Sequence, residues 1–150
     1  MIFDRTQADI SAAISLRSEK VQKFKELTES EIATLEKGTM TINTLNRIEN
    51  KQTELKALFN EMGYWNTPIT NKVWTVTQIF NADEFQRIID NTNILRDAFF
   101  VYKGTPNTPP ISYHFEDINS LEKILYDLDV MINDVKSLYR ECGTFESGEE

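Results

Sequence analysis

Few residues in this chain have side chains suited to catalysis or metal binding. One histidine, His114, and one cysteine, Cys142, stand among 150 residues. A single histidine excludes an HExxH helix and any metal site built on two histidines. His114 lies between Tyr113 and Phe115, with no nucleophile and orienting partner nearby, so a packed or capping histidine is expected. Cys142, between Glu141 and Gly143, falls at the end of a helical pattern. A neighbouring carboxylate and the negative helix end both disfavour a thiolate, so it reads as structural. Asp127, Asp129 and Asp134 form the remaining cluster. Residues two apart on a helix point in different directions, so Asp127 and Asp129 cannot share an ion. No EF-hand loop surrounds them, and a solvated acidic face is expected. The five glycines form neither a GxGxxG fingerprint nor a P-loop. These readings predict no catalytic residue, cofactor, metal or small-molecule substrate.

Aromatic and proline residues offer a different chemistry, that of protein contacts. Tyr64, Trp65 and Trp74 flank a connection in the middle of the chain, and Thr105-Pro106-Asn107-Thr108-Pro109-Pro110 makes a second one. Aromatic side chains either fill a core or anchor an interface. Tyr64, Trp65, Trp74, Pro109 and Pro110 are therefore the candidate partner contacts.

The elements that position these residues follow from periodicity. Thr6 with Asp9 and Thr28 with Glu31 read as capping boxes, opening helices over about 7–26 and 29–37, with Gly38 closing the second. Ile10, Ala13, Ile14, Val21 and Phe24 supply the apolar face of the first. Leu45, Ile48, Gln52, Leu55, Phe59 and Met62 alternate spacings of three and four, a seam with one polar interruption. Thr41 or Asn43 caps this helix, expected over 42–62, and Gly63 ends it. Asn81 with Glu84 opens a helix over 82–102, whose seam is Phe85, Ile88, Thr92, Leu95, Phe99 and Tyr102. A last helix over 116–141 carries Ile118, Leu121, Leu125, Leu128 and Val135, with Glu116 and Asp117 at its positive end and Gly143 beyond it. Val73, Val76 and their β-branched neighbours allow at most a short extended or β segment near 72–77. The expected fold is all-α: one domain, 1–150, a bundle of about five helices. Seams of this length favour an intramolecular core over a coiled coil between chains.

Composition agrees. Hydrophobic residues are 40% and charged residues 27%, ordinary globular values. No apolar run is long enough to span a bilayer, and Met1-Ile2-Phe3-Asp4, with its early acid and no apolar stretch after it, is not expected to act as a signal peptide. The lone cysteine fits a reducing compartment such as a bacterial cytoplasm. The net charge of −8 is uneven: residues 1–75 hold ten basic and ten acidic groups, residues 76–150 six and fourteen. A negative surface repels phosphate, so neither nucleic acid nor an anionic membrane is an expected partner.

Several segments occur together in a fixed order: Asp4-Arg5-Thr6-Gln7-Ala8-Asp9, Leu45-Asn46-Arg47-Ile48-Glu49, Met62-Gly63-Tyr64, Trp74-Thr75-Val76-Thr77, Asn93-Ile94-Leu95-Arg96, Asp117 through Leu125, and Gly143 through Glu149. This ordered set resembles a helical module encoded by prophages of Gram-positive (Firmicutes) bacteria, over nearly the whole chain. There it occurs as a short virion-associated protein or within longer tail and baseplate proteins. The resemblance implies a structural, tail-associated role in a phage particle. A protein in that role is expected to bind other virion proteins, often in symmetric copies. It carries no catalytic residues. The start at Met1, just before the module, leads one to expect no appended tail domain. The alternative expectation is a small acidic helical protein acting free in the infected cell, as inhibitor or regulator of a host protein.

Overall fold

Side chains of the chain itself set most helix starts. Thr6 accepts from the Asp9 backbone N–H at 3.3 Å while the Asp9 carboxylate accepts from the Thr6 N–H at 2.8 Å. Thr28 and Glu31 repeat this exchange. Thr41 accepts from the Thr44 N–H at 3.2 Å, and Asn81 from the Glu84 N–H at 3.0 Å. Each bond satisfies a backbone donor that the first helical turn leaves without a partner. A computed structural model describes residues 1–64, 68–111 and 114–142, with side chains through Leu138. In it α1 (Gln7–Glu19), a 3₁₀ turn (Val21–Lys23), α2 (Glu29–Gly38), α3 (Ile42–Glu61), α4 (Ala82–Ala98) and α5 (Phe115–Cys142) follow in order. No strand occurs among the described residues, so 72–77 is an irregular connection. The all-α expectation is met.

Helices α3, α4 and α5 pack pairwise into a three-helix core, while α1 packs against α2 as a separate hairpin. The seams read from the sequence on α3, α4 and α5 face inward, whereas the apolar face read for the first helix does not: Ala13 is buried, but Ile14, Val21 and Phe24 are exposed, because the hairpin packs only one narrow side of α1. Ile48, Leu55, Phe59, Phe85, Ile88, Leu95, Leu121, Leu125 and Leu128 are all essentially inaccessible. Each such burial contributes roughly 1.5–3 kcal/mol. The polar interruptions of the two seams meet: Gln52 donates to the Ile88 carbonyl and to Thr92 Oγ1, both at 2.9 Å. A satisfied polar pair in an apolar core favours one axial register, because slippage would strand both groups.

Three helix readings need correction. The first helix stops at Glu19 rather than near 26. Phe24 takes a left-handed conformation (φ 52°), Lys25 N–H reaches back to the Lys20 carbonyl, and Phe24 N–H to that of Val21. This is a Schellman closure with Phe in the place glycine usually holds, which residue type alone does not announce. The fourth helix stops at Ala98 rather than 102. Phe99 turns extended and sets its ring 5.3 Å from that of Phe59 and 4.9 Å from that of Tyr64. Residues 99–102 are aromatic or β-branched, weak helix formers that this packing overrides. Tyr102 therefore leaves the seam and is exposed. The third correction concerns the acidic face of α5. Asp127 is buried, accepting from Thr105 Oγ1 at 2.8 Å and pairing with Lys123, so it pins the 105–110 loop instead of facing solvent. Gly143, expected to end the last helix, and the Cys142 side chain lie outside what is described.

Candidate protein-interaction surfaces

The connection from Ile69 to Asn81 is irregular, so something other than a backbone ladder must hold it. Glu49 of α3, 1% exposed, does most of this. Its carboxylate accepts from Lys72 N–H at 2.7 Å, from Trp74 Nε1 at 2.7 Å and from both terminal nitrogens of Arg87, at 3.0 and 2.5 Å. Glu84 completes the cluster, taking Arg87 Nε at 2.9 Å and pairing with Lys72. Lys72 holds Glu84 below the ordinary carboxylate range, and Glu49 raises Arg87. Asn46 adds two backbone bonds to Trp74, and Asn91 receives the Thr70 N–H and donates to its carbonyl. A carboxylate buried this deeply is tolerable only with such a set of donors.

This clamp decides which side chains of the connection face in. Trp74 is 3% exposed and packs edge-on against Phe80. Its neighbours point out: Val73, Val76 and Ile79 are 71%, 88% and 82% exposed. A turn holds Val76 at the tip, with Gln78 N–H on the Thr75 carbonyl at 3.1 Å and Thr75 N–H on Gln78 Oε1 at 2.8 Å. Three exposed aliphatics on a loop tied to α3 and α4 form a preorganised apolar ridge.

The predicted contact residues divide. Of the two readings open to Trp74, core and anchor, the structure takes core and removes it from the partner contacts: its indole N–H needs Glu49, and its ring packs on Phe80, which packs in turn on Phe85. Tyr64 is half-buried against Phe59 and Phe99. Pro109 is buried and Pro110 exposed, in a loop held by Thr108 on Asn93 and by Arg96 on Asn107 at 3.1 Å. Trp65 lies outside the described residues. The ridge at 73, 76 and 79 was missed, although Val73 and Val76 stood within the β-branched stretch over 72–77. Alternation could not have found it, because Trp74 and Val76 share one parity and yet one is buried and the other exposed.

A second buried carboxylate ties the N-terminus to the bundle. Glu122 of α5, fully buried, accepts from Arg5 at 2.7 Å, Arg47 Nε at 2.7 Å and Ile2 N–H at 3.0 Å. Beside it a cavity of about 370 Å³ opens between the hairpin and the start of α5, lined by Arg5, Ile10, Met40, His114, Phe115 and Ile118 among others. His114 is exposed, so of the two roles expected, packed or capping, it does not take the first. Its backbone takes the capping place instead: its N–H donates to Asp117 at 3.2 Å and its carbonyl accepts the Asp117 N–H. No group of three His, Cys, Asp or Glu side chains placed to hold a metal occurs among the described residues.

No family model, no curated protein and no solved structure matches this chain. No helix among the described residues is long and apolar enough to cross a membrane.

The third surface is the tip of the α1–α2 hairpin. Phe24 is 98% exposed there, with Val21 beside it and Ile14 and Ile32 exposed along the two helices. Lys20 crosses the hairpin to Glu31 at 2.7 Å. Arg17, Lys23 and Lys25 make no ion pair among the described residues.

Proposed function

We propose that this chain is a non-enzymatic structural or adaptor component of a phage or prophage particle, tail-associated, working through protein–protein contacts with other virion proteins. The observation that carries the contact role is the ridge of Val73, Val76 and Ile79, left exposed on a connection that Glu49, Asn46 and Asn91 hold in place. A mobile loop would lose binding energy on ordering, whereas this one is already ordered. The deeply buried carboxylates, Glu49 and Glu122, are spent on arginines and backbone donors rather than presented to a cavity. That use of the polar side chains supports a scaffold over a catalyst. The phage setting rests on the ordered segments that resemble the prophage module. The site of action under this reading is the virion, after synthesis in the host cytoplasm.

Mass spectrometry of particles purified by density gradient from an induced lysate tests this. Detection at a fixed ratio to the major tail or capsid protein is the expected result. A Val76→Asp, Ile79→Asp double variant should fold and yet be lost from particles. Absence of the unaltered protein from particles, with abundance in the soluble lysate, would overturn the reading in favour of a host-protein regulator.

A further inference from the structure

Phe24 combines two costs that a solvated turn would not keep. An L-residue in the left-handed region is disfavoured by roughly 1–2 kcal/mol relative to glycine, and more noticeably so for a bulky side chain. The conformation projects its ring, 98% exposed, beyond both helices of the hairpin. Strained residues of this kind cluster at binding sites, where the strain aims a side chain. Residues 17–25 around it carry four basic groups and one acid, in a chain whose net charge is −8. Three of those cations, Arg17, Lys23 and Lys25, lack an ion pair among the described residues.

The complement lies on the same chain, on α4. Asp83, Asp90 and Asp97 recur every seven residues, which places them along one solvent face of the helix, and all three are exposed. Asp90 accepts from Gln86 at 2.6 Å, and none of the three makes an ion pair among the described residues. The basic side chains of α4 are engaged elsewhere, Arg87 by Glu49 and Glu84, Arg96 by Asn107. Exposed apolar residues flank the stripe, Ile79 before it and Phe100, 74% exposed, after it.

We propose that the Phe24 tip of one copy docks on the acidic α4 face of a second copy, toward Phe100 just past the helix end, with Lys23 and Lys25 against Asp97 and Asp90. The contact is head-to-tail: each copy that donates a tip leaves its own α4 face free. Repetition of such an interface closes into a ring or grows into a filament. The charges steer and align the copies, and the aromatic ring supplies the anchor. This self-association goes beyond the proposed virion role and is tested apart from it.

Sedimentation velocity of the purified full chain over a range of concentrations, at low and high salt, reads it directly. Concentration-dependent oligomers at low salt that weaken at high salt are expected, since exposed pairs are screened. Phe24→Gly should weaken association by about tenfold or more, the scale of losing one aromatic anchor. Glycine suits the left-handed turn, so this variant should keep its helical circular dichroism and melt no lower. Lys23→Glu with Lys25→Glu should abolish self-association, and mixing that variant with Asp90→Lys, Asp97→Lys should restore a complex. A monomer at every concentration and salt would overturn the proposal, as would oligomers indifferent to Phe24→Gly. A monomer that instead co-sediments with anionic lipid vesicles in a Phe24-dependent way would overturn it in favour of a membrane-surface tip.

Discussion

At the scale of single residues, Glu49 is the side chain on which most depends. One carboxylate receives a backbone N–H, an indole and a guanidinium. Glu49→Ala removes the acceptor of all three donors and leaves Arg87 without its buried partner. The loss should be about 3–5 kcal/mol, the scale of breaking a buried ion pair from one side. Urea unfolding followed by circular dichroism measures it. The Trp74 environment should become wetter at the same time, seen as a red shift in fluorescence beyond any contribution of Trp65. Glu49→Gln keeps one acceptor and the shape, so a smaller loss is expected. Glu49 was not legible as a structural residue in the sequence, where it is one acid among 24. Only the fold brings the Lys72–Trp74 segment and Arg87 to it, from positions 23 to 38 residues away.

At the scale of elements, the hairpin depends on a close approach and on its caps. Gly38 faces α1 so closely that a Cβ there would overlap the Asp9 carbonyl oxygen and the Ala13 side chain. Gly38→Ala should pry the helices apart at a cost of about 1–3 kcal/mol. Faster amide exchange in α1 and α2, with the three-helix core unchanged, would report it. The caps add a pH dependence. Thr6 holds Asp9 below the ordinary carboxylate range, and Lys20, then the Thr28 backbone, do the same for Glu31. Each carboxylate therefore binds its proton more weakly in the folded chain than in the unfolded one. Their stabilisation is present at neutral pH and is lost as pH falls through the folded values. Acid titration followed by far-ultraviolet circular dichroism should show helix loss from the hairpin before the core unfolds. Core signals that melt first would contradict this. The caps were legible because they are local, a hydroxyl and an acid three residues apart. The closure at Phe24 was not, because nothing local favours phenylalanine in a left-handed turn.

At the scale of the whole molecule, burial is unequal. The core of α3, α4 and α5 contains nearly all fully buried apolar side chains, whereas the hairpin fully buries only Ala13 and Gly38. Fewer buried contacts mean cheaper local opening. Amides of α1 and α2 should exchange orders of magnitude faster than those of α3 and α5, under conditions where the core exchanges only by global unfolding. Equal protection throughout would mean that the hairpin and core form one cooperative unit. Charge is unequal too: Lys23 and Lys25 at the hairpin tip and Asp83, Asp90 and Asp97 along α4 make no ion pair among the described residues, and that separation is what the proposed head-to-tail contact would use.

The sequence by itself determined the helices with period and caps, the all-α class, and the seams that fill the core. Those properties come from residues within one or two turns of each other, so spacing records them. Tertiary structure alone decided that Gln52 and Thr92 satisfy each other, that Trp74 turns inward while Val73, Val76 and Ile79 turn out, and that α4 ends where Phe99 finds Phe59 and Tyr64. Each of these is a choice between two locally acceptable arrangements. The deciding partner sits on another element, where neither periodicity nor propensity can register it.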